Sequence, residues 1–237
     1  GAVSYWLNVN MGLGAVVAAA LVGVLAGILM PAYAVPLYCG GFVGMASPKV
    51  LDNTQLLLAA AVAGVIYVLA QDVFNGFGGK LGTVACAGCI LSALCCGKAL
   101  LTGQVPSDDV STRIIVTTVI AAVVAYLVNV KMGKGAVMGS AIVGLVGGLV
   151  LPALFPDVGA TLATACICAS FAGMSSKARI PNEAWMALAG VIVGLVFMYS
   201  SPYLGGAGGK LGTTAFGAVI AVNALHKVAG KLGGNKA

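Results

Sequence analysis

The chain has 237 residues, of which 60% are hydrophobic and only 8% charged, and its mean hydropathy is +1.07. A soluble domain with a solvated surface does not sustain such a composition, so the bilayer is the expected solvent and partner. The net charge of +6 reads as loops facing anionic lipid; no basic face interleaved with aromatics indicates nucleic-acid binding.

In chain order, apolar stretches occupy 11–31, 54–70, 81–101, 112–130, 135–155, 184–200 and 211–229. Most are near the roughly 20 residues that cross about 30 Å of hydrocarbon. Two further stretches, 33–47 and 158–175, are shorter or interrupted by glycine. The runs are continuously apolar without polar alternation, which points to helices rather than barrel strands. The expected fold is therefore an all-α, polytopic integral membrane protein. Its 35 glycines fit this setting, because small residues let membrane helices approach; GVLAG at 23–27 and GLVGG at 144–148 follow the small-xxx-small pattern.

Those two pentapeptides sit inside a duplication. Residues 8–31 and 129–152 are identical at twelve of twenty-four positions without a gap. GMAS at 44–47 returns as GMSS at 173–176, and GGKLGT at 78–83 recurs at 208–213. Internal repeats of this kind build many membrane transporters. The expected division is 1–104 for the first repeat and 105–237 for the second, with GQVPSDD at 103–109 as connector and a helix starting at Ser111 or Thr112. Tyr5 and Asn8 align with Tyr126 and Asn129, so the chain begins within a helix, and a further helix of ordinary length is expected upstream.

Each repeat then holds four to five transmembrane segments, depending on the short one. If it crosses, the copies face opposite ways; if it is re-entrant, they face the same way. Lys and Arg divide eight to four in either case. With the crossing, Lys80, Lys131, Lys134, Lys177, Arg179, Lys227, Lys231 and Lys236 oppose Lys49, Lys98, Arg113 and Lys210. Both readings place the C-terminus, with His226, in the cytoplasm of a cell bounded by this plasma membrane, and Tyr5 to Asn10 outside. The register between copies changes from 121 to 129 at the short segment, so the first copy is eight residues shorter there, about 12 Å of helix. That deficit favours a broken or re-entrant helix between Pro31 or Pro36 and Pro48, and between Pro152 or Pro156 and Pro181.

Two elements are candidates for the solute or ion pathway. The first is GGKLGT: Gly78, Gly79, Lys80 and Thr83, with Gly208, Gly209, Lys210 and Thr213. Two glycines and a lysine at a helix start offer free N–H groups, the helix dipole and an ammonium to an anionic group, although the glycines also serve a tight loop and the lysines a headgroup contact. Its spacing is not that of a nucleotide-binding loop. The second is the short segment, where Cys39, Gly44 and Ser47 correspond to Cys168, Gly173 and Ser176. An interrupted helix can turn carbonyls, N–H groups and hydroxyls towards a solute, while glycine and serine there equally suit close packing.

Other groups point away from catalysis. Cys86, Cys89, Cys95 and Cys96 lack nearby His or acid partners and read as small apolar residues, so no metal, cofactor or disulfide is expected. Asp52, Asp72, Asp108, Asp109, Asp157 and Glu183 fall at segment edges, leaving no carboxylate relay within a span. No nucleophile, base and orienting group come together, so an enzyme is not expected. Trp6, Tyr33, Tyr38, Trp185, Tyr199 and Tyr203 read as interfacial belt residues. The expected function is a transporter or channel for a small solute or ion, anionic or neutral, between the repeats, with homo-oligomerisation open. The alternative is a non-transporting membrane subunit or scaffold, disfavoured by the short loops.

Overall fold

A computed structural model describes residues 1–232; Lys236 lies outside them. The described residues form α1 (Ala2–Val9), α2 (Ala15–Leu29), α3 (Ala34–Val43), α4 (Asn53–Leu69), α5 (Lys80–Cys95), α6 (Asp108–Tyr126), α7 (Ala136–Leu154), α8 (Gly159–Ala172), α9 (Glu183–Ser200) and α10 (Lys210–Leu232). A 3-10 turn, Pro31–Tyr33, leads into α3, and a π turn, Leu127–Lys131, prolongs α6. The all-helical expectation therefore holds. Among the described residues, four helices are long and apolar enough to cross a membrane: Val110–Lys131, Ala136–Leu154, Glu183–Ser200 and Lys210–Leu232. Apolar α2, α4, α5 and α8 are shorter, at 14–17 residues. Three of them expose leucines, Leu29 on α2, Leu69 on α4 and Leu94 on α5, a surface compatible with lipid.

Local chemistry explains the boundaries. Asp52 opens α4 with a capping box, accepting from the N–H groups of Thr54 and Gln55 at 2.9 Å while Gln55 Oε1 accepts from its own N–H at 3.1 Å. Asn182 opens α9 by accepting from Trp185 N–H at 3.1 Å. α5 and α10 follow Gly79 and Gly209 at φ +85° and +83°, a conformation glycine adopts without a Cβ penalty. The duplication reaches even to costly backbone: Phe74 and Leu204, at matching positions before the two GGKLGT elements, both have φ +54°.

Several expectations change. α6 begins at Asp108 rather than at Ser111 or Thr112. α8 is an unbroken helix, and the helical break falls after it, at 173–182, as it falls at 44–52 after α3. Pro152 lies inside α7. The eight extra residues of the second copy, 153–160, supply the end of α7, the link to α8 and the start of α8; the short segment itself is hardly different in length between copies. Tyr38 is not a belt residue: it is fully buried, its ring 4.3 Å from Phe42, which lies 4.5 Å from Phe171. Its hydroxyl is 3.1 Å from Ser140 Oγ, which is 2.9 Å from Ser170 Oγ, and Ser170 donates to Ile167 O at 2.7 Å. That chain of hydroxyls satisfies polar groups that burial would otherwise penalise. Trp6, Tyr33, Tyr199 and Tyr203 are exposed.

Glycines set the central contacts. A Cβ on Gly23 of α2 would stand 2.8 Å from Ala141 Cβ of α7, one on Gly27 would meet Met138, and one on Gly148 would stand 3.0 Å from Val16. As the number rises along α2 it falls along α7, so these helices run antiparallel. α5 and α10 do the same: Gly79 abuts Gly212 and Phe216, Gly82 abuts Gly212, and Gly209 abuts Cys86.

Candidate functional site

The GGKLGT helix starts and the ends of α3 and α8 come together at the centre of the molecule. Contacts are exchanged between the halves. Ser47 N–H donates to Gly206 O and Ser176 N–H donates to Gly76 O, both at 2.9 Å. A Cβ on Gly208 would stand 2.5 Å from the carbonyl oxygens of Phe42 and Val43, and one on Gly78 would stand 2.6 Å from Ala172 O. Only glycine lets these strands of backbone approach so closely. Gly78 N–H donates to the buried Ser175 hydroxyl at 3.1 Å.

The remaining candidates from the short segments hold the helices together. Cys39 and Cys168 are buried, their thiols directed at Leu81 O at 3.4 Å and Leu211 O at 3.2 Å. Gly44 O accepts from Asn8 Nδ2 at 3.2 Å, and Gly173 O from Asn129 Nδ2 at 3.0 Å. A Cβ on either glycine would collide with α1 or α6, at 2.6 Å from Ser4 Cβ or 2.5 Å from Ala125 Cβ. Ser47 Oγ accepts from Lys49 N–H at 3.3 Å, closing a local turn. Cys86 and Cys89 lie buried along α5 as free thiols, and no group of three metal-ligating side chains occurs among the described residues.

The two lysines behave alike in one respect. Lys80 Nζ donates to Gln71 O at 2.7 Å and Lys210 Nζ to Ser201 O at 3.2 Å, each satisfying a carbonyl just past the end of the preceding helix. Thr83 Oγ1 donates to Gly79 O at 3.4 Å. Its counterpart Thr213 has a fully buried Oγ1 without a hydrogen-bond partner among the described residues.

Their surroundings differ. Lys210 lines a cleft of about 280 Å³ with Val16, Met45, Thr164, Phe197 and Ser201. A second cleft, of about 470 Å³, shares Thr164, Phe197 and Ser201 and continues past Thr161 to Gln104 and Ser107 in the connector between copies. The two clefts adjoin through these shared walls and extend from the connector to the half-buried Lys210, with polar and apolar groups mixed along them. Lys80 and Thr83 line a smaller hollow of about 200 Å³ whose other walls are apolar, among them Ile66, Val73, Phe74 and Phe216. At the positions matching Thr161, Thr164, Phe197 and Ser201 the first copy has Ala32, Val35, Tyr67 and Gln71. Sequence comparison between copies passed over these residues because it rewards identity, whereas the passage is made where the copies diverge. The available signal was a pair of threonines, one turn apart, in the otherwise apolar α8.

Comparison with protein-family models, curated proteins and solved structures finds no match to this chain. The site is therefore interpreted from its own chemistry.

Proposed function

We propose that the chain is an integral membrane transporter or channel for a small solute or ion, built from two inverted repeats with the pathway between them. The observation that carries this reading is the antiparallel crossing of α5 and α10 at Gly82 and Gly212, with equivalent contacts exchanged around it. Matching helices that run in opposite directions are what two copies of opposite membrane topology produce. The same relation between α2 and α7 supports it. Parallel copies with a re-entrant short segment, the arrangement that the eight-residue deficit favours, do not give antiparallel matching helices.

In this arrangement Lys49, Lys98, Arg113 and Lys210 belong to one side of the bilayer, and Lys80, Lys131, Lys134, Lys177, Arg179, Lys227 and Lys231 to the other. The excess of positive charge makes the latter side cytoplasmic, with the C-terminus, in a plasma membrane. The passage from the connector to Lys210 is the solute's route inward from the opposite side, and the Tyr38, Phe42 and Phe171 cluster closes the centre.

That closed centre is also the observation that favours the second reading, a non-transporting membrane subunit. Flux separates the two. Purified protein reconstituted in liposomes and supplied with a panel of radiolabelled anions, cations and small neutral solutes is expected to move at least one of them faster than protein-free vesicles. Absence of flux for the whole panel, from protein that retains its helical spectrum and melting transition, overturns the transport reading in favour of the subunit.

A further inference from the structure

We infer that the cleft at Lys210, and not the matching place at Lys80, is the solute site, and that it takes a small anion; this rests on the transport reading above. Lys210 is the only charged side chain among the described residues that line the two connected clefts. A half-buried ammonium is costly unless counter-charge or hydrogen-bond acceptors meet it. The described ion pair, Lys131 with Glu183 at 3.1 Å, lies elsewhere. Of the three N–H donors on the ammonium, one serves Ser201 O, which leaves two for a bound anion.

The hydroxyls define how that anion is held. Thr164 donates to Ala160 O at 2.8 Å and Ser201 Oγ donates to Phe197 O at 3.0 Å. Both protons are committed to the chain, so what these side chains offer the cleft is acceptor oxygen, suited to water. Direct ligation falls to Lys210, and the ion keeps part of its hydration. A volume of about 280 Å³ accommodates an inorganic anion or a short carboxylate together with part of its hydration. At Lys80 the hollow is walled almost wholly by apolar side chains, with Thr83 the one hydroxyl on its lining, and no second cleft through polar residues leads to it among the described residues.

The test is titration calorimetry on the purified full-length chain in detergent, using chloride, nitrate and acetate against a gluconate background. Saturable binding of at least one anion is expected in the wild type and in Lys80→Met, at least tenfold weaker binding in Lys210→Met, and recovery in Lys210→Arg. Thr164→Val is expected to weaken binding by less than Lys210→Met does. Melting transitions identify any variant that fails to fold, in which case the Arg and Thr164→Val proteins carry the comparison. No binding in the wild type, an unchanged Kd in folded Lys210→Met, or loss in Lys80→Met instead each overturns the inference. Liposome flux separates the two levels: flux of a neutral solute that ignores Lys210 overturns the anion site and leaves transport standing, whereas anion binding at Lys210 without flux of any solute supports the site and overturns transport.

Discussion

Gly82 and Gly212 face each other where α5 and α10 cross, and a Cβ on either would stand 2.5 Å from the other's Cα. Neither backbone can yield without displacing a helix start. Gly82→Ala and Gly212→Ala are each expected to lose about 1–3 kcal/mol of stability through overpacking, and to do so to a similar extent. Melting in detergent checks this; a tolerated alanine at either position would show that the crossing is looser than the geometry requires.

Tyr5 and Tyr126 each donate a 2.7 Å hydrogen bond to a buried carbonyl in the turn beyond a short helix, Leu51 O and Ile180 O. Removing only the hydroxyl leaves that carbonyl short of a partner. Tyr126→Phe is expected to cost about 1 kcal/mol, within the range found for hydrogen bonds inside membrane proteins, with Tyr5→Phe close to it. Steric-trap or denaturant unfolding of the two variants measures the pair.

Ser140 occupies the middle of the hydroxyl chain from Tyr38 to Ser170. Ser140→Ala strands a phenol next to the central aromatic cluster. A loss of about 1–3 kcal/mol is expected, larger than for Tyr38→Phe, which removes the terminal donor and leaves Ser140 its contact with Ser170. Equal losses would place the cost in the Tyr38 hydroxyl alone.

Lys49 and Lys177 are exposed in the turns after α3 and α8. Single cysteines at these two positions, in a background lacking the native cysteines, are expected to react with a membrane-impermeant maleimide from opposite sides of right-side-out vesicles. Reaction of both from one side would overturn the inverted arrangement and restore the parallel one.

The helical fold was legible because it is written locally. Apolar run length and the glycines of the GGKLGT elements before α5 and α10 act over a few residues. Boundaries failed where a local signal competed with another: the acids after Pro106 were read as loop, yet α6 starts at Asp108, and of the two prolines read as bounding the short segment, Pro152 or Pro156, the first sits in the last turn of α7. Tyr38 was misplaced because an aromatic near a segment end has the same composition whether it faces headgroups or a core.

What the sequence alone determined is the apolar character, the helices and the correspondence of positions such as Lys80 with Lys210, since each depends on composition, period or identity along the chain. Only the tertiary structure decided that α5 and α10 meet antiparallel, and that Lys210 has a cleft of mixed polar and apolar walls while Lys80 has an almost wholly apolar hollow. The physical reason is that these properties arise between residues far apart in sequence: Ser201, Thr164 and Met45 acquire a common meaning only when close-packed glycine backbones bring their helices to the same lysine.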